Sequence, residues 1–167
     1  MKKASLIYSF NTKRSAQVGE QIASILGDTV ETLNAEEING ELFLKNDNII
    51  IGCPTWFDGE LPNYWDEFVP ELEELDLKGK KVAIYGAGDA KGYPENFCDA
   101  IGLIANIFKA QGAEIVGYTS TEGYAFESSE AQEGDQFCGL ALDFVSHKKL
   151  IDGKIEAWLN QLKKEFS

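Results

Sequence analysis

Ser9-Phe10-Asn11-Thr12-Lys13-Arg14-Ser15 places four short hydrogen-bonding side chains and two cations in seven residues, between an apolar run and a helical pattern. At a helix N-terminus unsatisfied backbone N–H groups meet the positive end of the dipole, so this stretch suits an anion, with Lys13 and Arg14 able to pair with a phosphomonoester. An ordinary helix cap by Asn11 or Thr12, with solvated basic neighbours, accounts for the same residues. Cys53-Pro54-Thr55-Trp56-Phe57-Asp58-Gly59-Glu60-Leu61-Pro62 sets two adjacent aromatics in a connection. Large rings exposed in a loop suit a planar ligand, although Trp56 could simply close the core beneath it. Gly86-Ala87-Gly88-Asp89-Ala90-Lys91-Gly92-Tyr93-Pro94-Glu95-Asn96 joins glycines, which permit close backbone approach, to an acid, an amide and a tyrosine able to read a ring edge. Its first four residues imitate a dinucleotide fingerprint only weakly, because they follow the fourth strand and lack the third glycine; a Rossmann dehydrogenase is discounted.

These stretches need a frame. Ala4 to Tyr8 reads as a buried strand, and Val18, Ile22, Ile25 and Leu26 give the following segment, from Thr12 to Gly27, an apolar helical face. Thr29 to Leu33 alternates as a second strand, and Asn48 to Cys53 is a continuous apolar run of the kind found in central parallel strands. Trp65, Phe68, Val69 and Leu72 mark a helix, Lys81 to Gly86 a fourth strand, and Asn96 to Gln111 a further helix with Phe97, Ile101, Ile104 and Phe108 inward. A fifth strand begins at Glu114 to Tyr118, is interrupted by a polar stretch from Ser120 to Gln136, and resumes at Phe137 to Leu142. Ile155, Trp158, Leu159 and Leu162 place a last helix at the C-terminus. Alternating strands and helices predict an α/β three-layer sandwich around a parallel sheet, with right-handed crossovers. Ligands of such sheets bind beyond the carboxyl ends of the strands, which is where the three stretches fall.

The 167 residues, 44% hydrophobic, are expected to form one domain spanning 1–167 with its own core. A formal net charge of −13 repels nucleic acid and anionic lipid and favours basic protein partners, and it also serves solubility alone. Cys53, Cys98 and Cys138 are scattered and odd in number, giving neither a disulfide framework nor a metal-ligand spacing and fitting a reducing cytoplasm. The apolar stretch after Met1-Lys2-Lys3 is too short for a signal peptide or a membrane span. The single histidine, His147, lies in a polar stretch and reads as a solvated surface residue, so no Ser/His/Asp or zinc chemistry can be built.

Cys53-Pro54-Thr55-Trp56, Gly59-Glu60-Leu61, Gly88-Asp89, Gly92-Tyr93, Glu95-Asn96-Phe97, Asp99-Ala100-Ile101-Gly102, Thr119-Ser120-Thr121-Glu122-Gly123-Tyr124 and Gly139-Leu140-Ala141-Leu142-Asp143 together resemble, in order and spacing, the long-chain flavodoxins. The interrupted fifth strand separates these from the short-chain type. The resemblance implies strand order 2-1-3-4-5, a non-covalently bound FMN, and service as a monomeric one-electron carrier between redox proteins, not an enzyme. It implies that Trp56 and Tyr93 flank the two faces of the isoalloxazine, with Asp89 and Asn96 near its pyrimidine edge and Asp143 toward the ribityl chain. Pro54, Thr55, Phe57, Asp58, Gly59, Gly86, Ala87, Gly88 and Phe97 complete the ring-binding loops, beside Ser9 to Ser15 at the phosphate. A carbonyl of the Phe57-Asp58 peptide would turn toward the flavin after one-electron reduction; neither residue is glycine, so moderate stabilisation of that state is expected.

The family's phosphate loop reads Ser/Thr-x-Thr-Gly-x-Thr/Ser, and aligning Thr12 and Ser15 puts Phe10 at the first hydroxyl and Lys13 at the glycine. A missing hydroxyl on a charged acceptor removes roughly 1.5–3 kcal/mol, and a non-glycine residue strains the loop by about 1–3 kcal/mol. Either Lys13 and Arg14 replace hydroxyl contacts by charge, or Phe10 fills the phosphate space and the chain is a flavin-free docking domain. The intact ring-binding loops favour the first outcome. An FMN-dependent quinone or small-molecule reductase is the enzymatic alternative, though no nicotinamide-binding motif is present. Phe144-Val145-Ser146-His147-Lys148-Lys149 is basic and apolar where the family tends to be acidic, which points to a different partner choice or to drift of a surface loop.

Overall fold

The structure is a computed structural model and describes residues 1–166. Five strands, β1 (Ala4–Tyr8), β2 (Val30–Asn34), β3 (Asn48–Gly52), β4 (Lys81–Gly88) and β5 (Glu114–Val116), form a parallel sheet in the order β2-β1-β3-β4-β5. Period-two alternation sorts their side chains onto two faces. Ile7, Ile49, Ile51, Val82 and Ile84 pack against α2 (Gly40–Phe43), α3 (Asn63–Leu72) and α4 (Asp99–Ala110). Leu6, Tyr8, Ile50, Ala83 and Tyr85 pack against α1 (Lys13–Leu26) and α5 (Ile151–Glu165). Central strands covered on both faces take mostly apolar residues, and the two polar side chains within the unbroken burial of β1 and β3 are hydrogen-bonded, Ser5 accepting from the Asn46 amide and Asn48 donating to the Phe166 carbonyl.

A fully buried tryptophan ties a helix to the sheet on each face. Trp65 of α3 donates its indole N–H to the Gly52 carbonyl at 2.8 Å, and Trp158 of α5 donates to the Gly117 carbonyl at 2.8 Å. Burying a ring of this size contributes on the order of 3 kcal/mol, and the N–H bond avoids an unsatisfied buried donor.

The fifth strand is interrupted, as the sequence suggests. β5 ends where Gly117 takes φ +81, and β9 (Leu140–Asp143) later resumes the same parallel pairing along β4, with Asp143 opposite Gly88. Between them β6 (Thr119–Ser120), β7 (Gln132–Glu133) and β8 (Gln136–Phe137) make a small antiparallel sheet. The first strand segment is therefore shorter than the expected Glu114 to Tyr118, and the second starts at Leu140 instead of the expected Phe137, which pairs with Thr119 in the small sheet.

The helix expected from Asn96 begins at Asp99. Cys98 adopts a left-handed φ of 52, and the Asn96 N–H is held in a turn by the Tyr93 carbonyl, so Phe97 keeps the helical spacing of Ile101 and Ile104 without being helical. Among the described residues no helix is long and apolar enough to cross a membrane.

Candidate functional site

The loops after β1, β3 and β4 emerge side by side at the carboxyl edge of the sheet, with the β9 end beside the third. The first is the anion-suited one. Thr12 has extended backbone and opens α1 without a side-chain cap bond; its hydroxyl instead donates to the Tyr64 phenol at 3.4 Å. Burial pushes the Tyr64 hydroxyl well above the ordinary phenol range, so it stays protonated. The first turn of α1 contains no acid to satisfy its N–H groups, and the buried Ser15 hydroxyl, which lies near the Tyr64 phenol, makes no hydrogen bond of normal geometry among the described residues. A buried, orphaned hydroxyl next to unsatisfied helix N–H groups is an expensive arrangement unless an acceptor is meant to bind there. The donor set therefore fits a phosphate.

The two residues that break the family pattern are accommodated. Phe10 is 48% exposed with its ring tilted against Tyr8, centroids 5.2 Å apart, and so lies on the rim. Lys13 is the exposed first residue of α1, with no ion pair among the described residues. Arg14 places its guanidinium over the Phe144 ring, 4.6 Å from the centroid, and donates to Gln17.

Glu36, which the sequence reading missed, organises this loop. It accepts from the Ser9 hydroxyl at 3.1 Å and from the Asn11 amide at 2.8 Å, while Asn34 accepts from the Phe10 N–H at 3.4 Å. Ser9 and Asn11, read as phosphate donors, are thus committed to a carboxylate on the turn after β2. Glu36 and Tyr64 lie 27 and 52 residues from their loop partners, a separation that local patterns do not report.

The second and third loops enclose a cleft of about 560 Å³ lined by Thr55, Trp56, Phe57, Asp58, Gly88, Asp89, Tyr93, Asn96, Phe97 and Cys98. Trp56 and Glu60 exchange two backbone hydrogen bonds of 2.9 and 2.8 Å, closing a tight hairpin whose tip is Phe57-Asp58-Gly59. Phe57 sits there at φ +50 and is 76% exposed; Gly59 sits at φ +86. A side chain at Gly59 would put its Cβ 2.5 Å from an Asp99 carboxylate oxygen, so glycine is required for space as well as conformation. Trp56 meets Tyr64 edge-on with centroids 5.7 Å apart, which couples this cleft to the phosphate loop through one phenol. Thr55 accepts from the Ala100 N–H at 3.0 Å and pins the loop to α4.

Across the cleft, Asp89 accepts from the Gly92 N–H at 2.9 Å, which curls the third loop and leaves Tyr93 59% exposed at its tip. The Asn96 amide donates to Asp99 at 3.1 Å. Gly88 lines the cleft, where an added Cβ would meet the Cys98 sulfur at 2.7 Å, whereas Gly86 faces the Cys53 carbonyl and Ile101. Ala87 is half-buried against the α1 and α5 layer, and Pro54 is buried. Phe97 reaches the cleft from an aromatic cluster with Tyr124, Phe126 and Phe137.

Asp143 is buried, and its carboxylate accepts from the Val145, Ser146 and Ala90 N–H groups at 3.0, 2.9 and 3.4 Å. It fastens the β9 exit to the third loop. His147, expected on the solvated surface, packs edge-on against Tyr124 with ring centroids 4.9 Å apart and its Nδ1 buried without a partner among the described residues. The polar flanks in sequence hid a partner 23 residues upstream.

The family model described as Flavodoxin matches residues 6–158. The chain is 42% identical to the flavodoxin of Nostoc sp. over 167 residues, covering 99% of this chain and 98% of that one. The crystal structure of Fusobacterium nucleatum flavodoxin bound to flavin mononucleotide superposes with a TM-score of 0.93 at 33% identity, covering 100% of both chains. The FMN-bound K13G mutant of the same protein superposes equally well, with a TM-score of 0.93 at 32% identity over 100% of this chain and 98% of that one. With the parallel sheet, the interrupted fifth strand and the three loops at its carboxyl edge, these similarities establish that the chain belongs to the flavodoxin family.

Proposed function

We propose that this chain is an electron carrier that binds one FMN without a covalent link and passes electrons, one at a time, between redox proteins. The observation that carries the reading is the pairing, on one sheet edge, of the orphaned Ser15 hydroxyl at an uncapped helix N-terminus with an aromatic-lined cleft joined to it through Tyr64. FMN, when bound, supplies the one-electron redox chemistry.

The residues divide the work of holding it. Ser15, Thr12 and the first-turn N–H groups take the phosphate, and Lys13 adds a screened positive charge. Trp56 and Tyr93 offer ring faces from opposite loops, and Asp89 and Asn96 stand where a ring edge would be read. The Phe57-Asp58 peptide lies at the hairpin tip, with φ +50 already adopted at Phe57. Asp58, Glu60, Asp89 and Glu95 around the cleft create a negative field that opposes adding negative charge to a bound ring and so lowers its reduction potential. The same field, in a chain of net charge −13, favours redox partners with basic docking faces. We place the carrier in the cytoplasm as a monomer with one domain.

Purified protein with flavin absorbance, whose released cofactor is FMN, is the expected result. A colourless protein that leaves FMN fluorescence unquenched at micromolar concentration would overturn the reading.

A further inference from the structure

On the far side of the phosphate loop the charge of the molecule reverses. Between Asp143 and Asp152 the chain contains no acid, while it carries Lys148 and Lys149 beside exposed Val145 and Leu150, 63% and 53% accessible. The Arg14 guanidinium reaches this segment by stacking on Phe144. Lys149, Leu150, Gly153, Lys154 and Ala157 line a shallow groove of about 320 Å³ at the start of α5. Three exposed cations, Arg14, Lys148 and Lys149, thus share this segment with two exposed apolar side chains, and a fourth, the half-exposed Lys154, lines the groove with its Nζ 4.7 Å from the centroid of the Tyr124 ring.

None of these cations forms an ion pair, although acids outnumber bases 28 to 15; the ion pairs among the described residues are Lys45–Glu31, Lys80–Asp47 and Lys109–Glu133, all elsewhere. The nearest acid on the helix, Asp152, accepts from Gln21 at 3.2 Å. Clustered, unpaired cations in a strongly acidic protein repel one another, and exposed valine and leucine among them gain nothing from water. Both features are relieved by an acidic surface with apolar side chains between its carboxylates.

We propose that Arg14, Val145, Lys148, Lys149, Leu150 and Lys154 form a docking surface for an acidic patch on a partner protein. A protein patch is favoured over nucleic acid or a membrane for two reasons. Extended polyanions would also face the acidic remainder of the molecule, whereas a compact patch meets only charges within a Debye length of about 8 Å. A phosphate backbone also makes no use of Val145 and Leu150. The surface borders the phosphate loop, yet Lys148, Lys149 and Lys154 are not assigned to FMN, so this inference and the cofactor reading fail separately.

The probe is a synthetic peptide of glutamates with interspersed leucines, titrated into the FMN-loaded protein and followed by backbone amide chemical shifts. The expected shifts are confined to Arg14 and residues 144–157. The double variant Lys148→Glu/Lys149→Glu should bind the peptide at least about tenfold more weakly, since two attractive contacts become repulsive, while FMN affinity and melting temperature stay unchanged. Should that variant fold poorly, Lys148→Gln/Lys149→Gln replaces it, with a smaller loss in the same direction. The proposal is overturned by scattered or absent shifts, by equal peptide affinity in the variant, by tighter binding of duplex DNA or of phosphatidylserine vesicles than of the peptide, or by self-association of the protein through this segment in sedimentation.

Discussion

The two ends of the carboxyl edge are built on different principles. The ring cleft satisfies itself: Trp56 with Glu60, Asp89 with Gly92, Asn96 with Asp99 and Thr55 with Ala100 are all internally bonded. The phosphate loop is held from outside by Glu36 and Asn34, and it leaves the Ser15 hydroxyl and the first turn of α1 unpaired. A preorganised cleft fixes shape before a ligand arrives, whereas a site with unpaired donors gains most when an anion arrives. On the proposed reading, the ring end would govern which planar group fits, and the phosphate end how much tighter the phosphorylated form is held.

That division is most strongly challenged at Gly59. Gly59→Ala forces a side chain into φ +86 and against Asp99, so it should destabilise the fold by about 2 kcal/mol, read as a lower melting temperature, and weaken FMN and riboflavin together. Trp56→Ala removes a ring face and should cost about 2 kcal/mol of affinity for both ligands in fluorescence titration, leaving their ratio unchanged. A Trp56→Ala effect on FMN alone would break the division. Ser15→Ala is the converse: about a tenfold loss for FMN and none for riboflavin, from one hydrogen bond to a charged acceptor. Lys13→Ala should have the smallest effect, about threefold, and should flatten the salt dependence of FMN affinity, because Lys13 is exposed and screened.

The same contrast explains what the sequence could and could not convey. The first four strands were legible to within a residue or two because burial on both faces favours continuous apolar runs, as in β3, whereas the resumption of the fifth, expected from Phe137, starts at Leu140. The ring loops were legible because their aromatics, acids and amide are contiguous in sequence. The start of α4 was not, since Phe97 is buried by an aromatic cluster while its backbone lies in a turn. The first loop was half legible: Thr12 and Ser15 do lie at the uncapped start of α1, but Ser9 and Asn11 are drawn to Glu36 by contacts across 27 and 25 residues. Asp143 was expected toward a ribityl chain by resemblance alone, and its acceptance from backbone N–H groups at the β9 exit is a task set by tertiary placement.

The central claim is that the phosphate end functions despite Phe10 and Lys13. Paired titrations of the cofactor-free protein with FMN and with riboflavin test it most directly. At least about a hundredfold tighter binding of FMN is expected from two hydroxyl bonds to a charged phosphate plus the helix N-terminus. Equal affinity for the two flavins would contradict the account and mean that this loop anchors no phosphate.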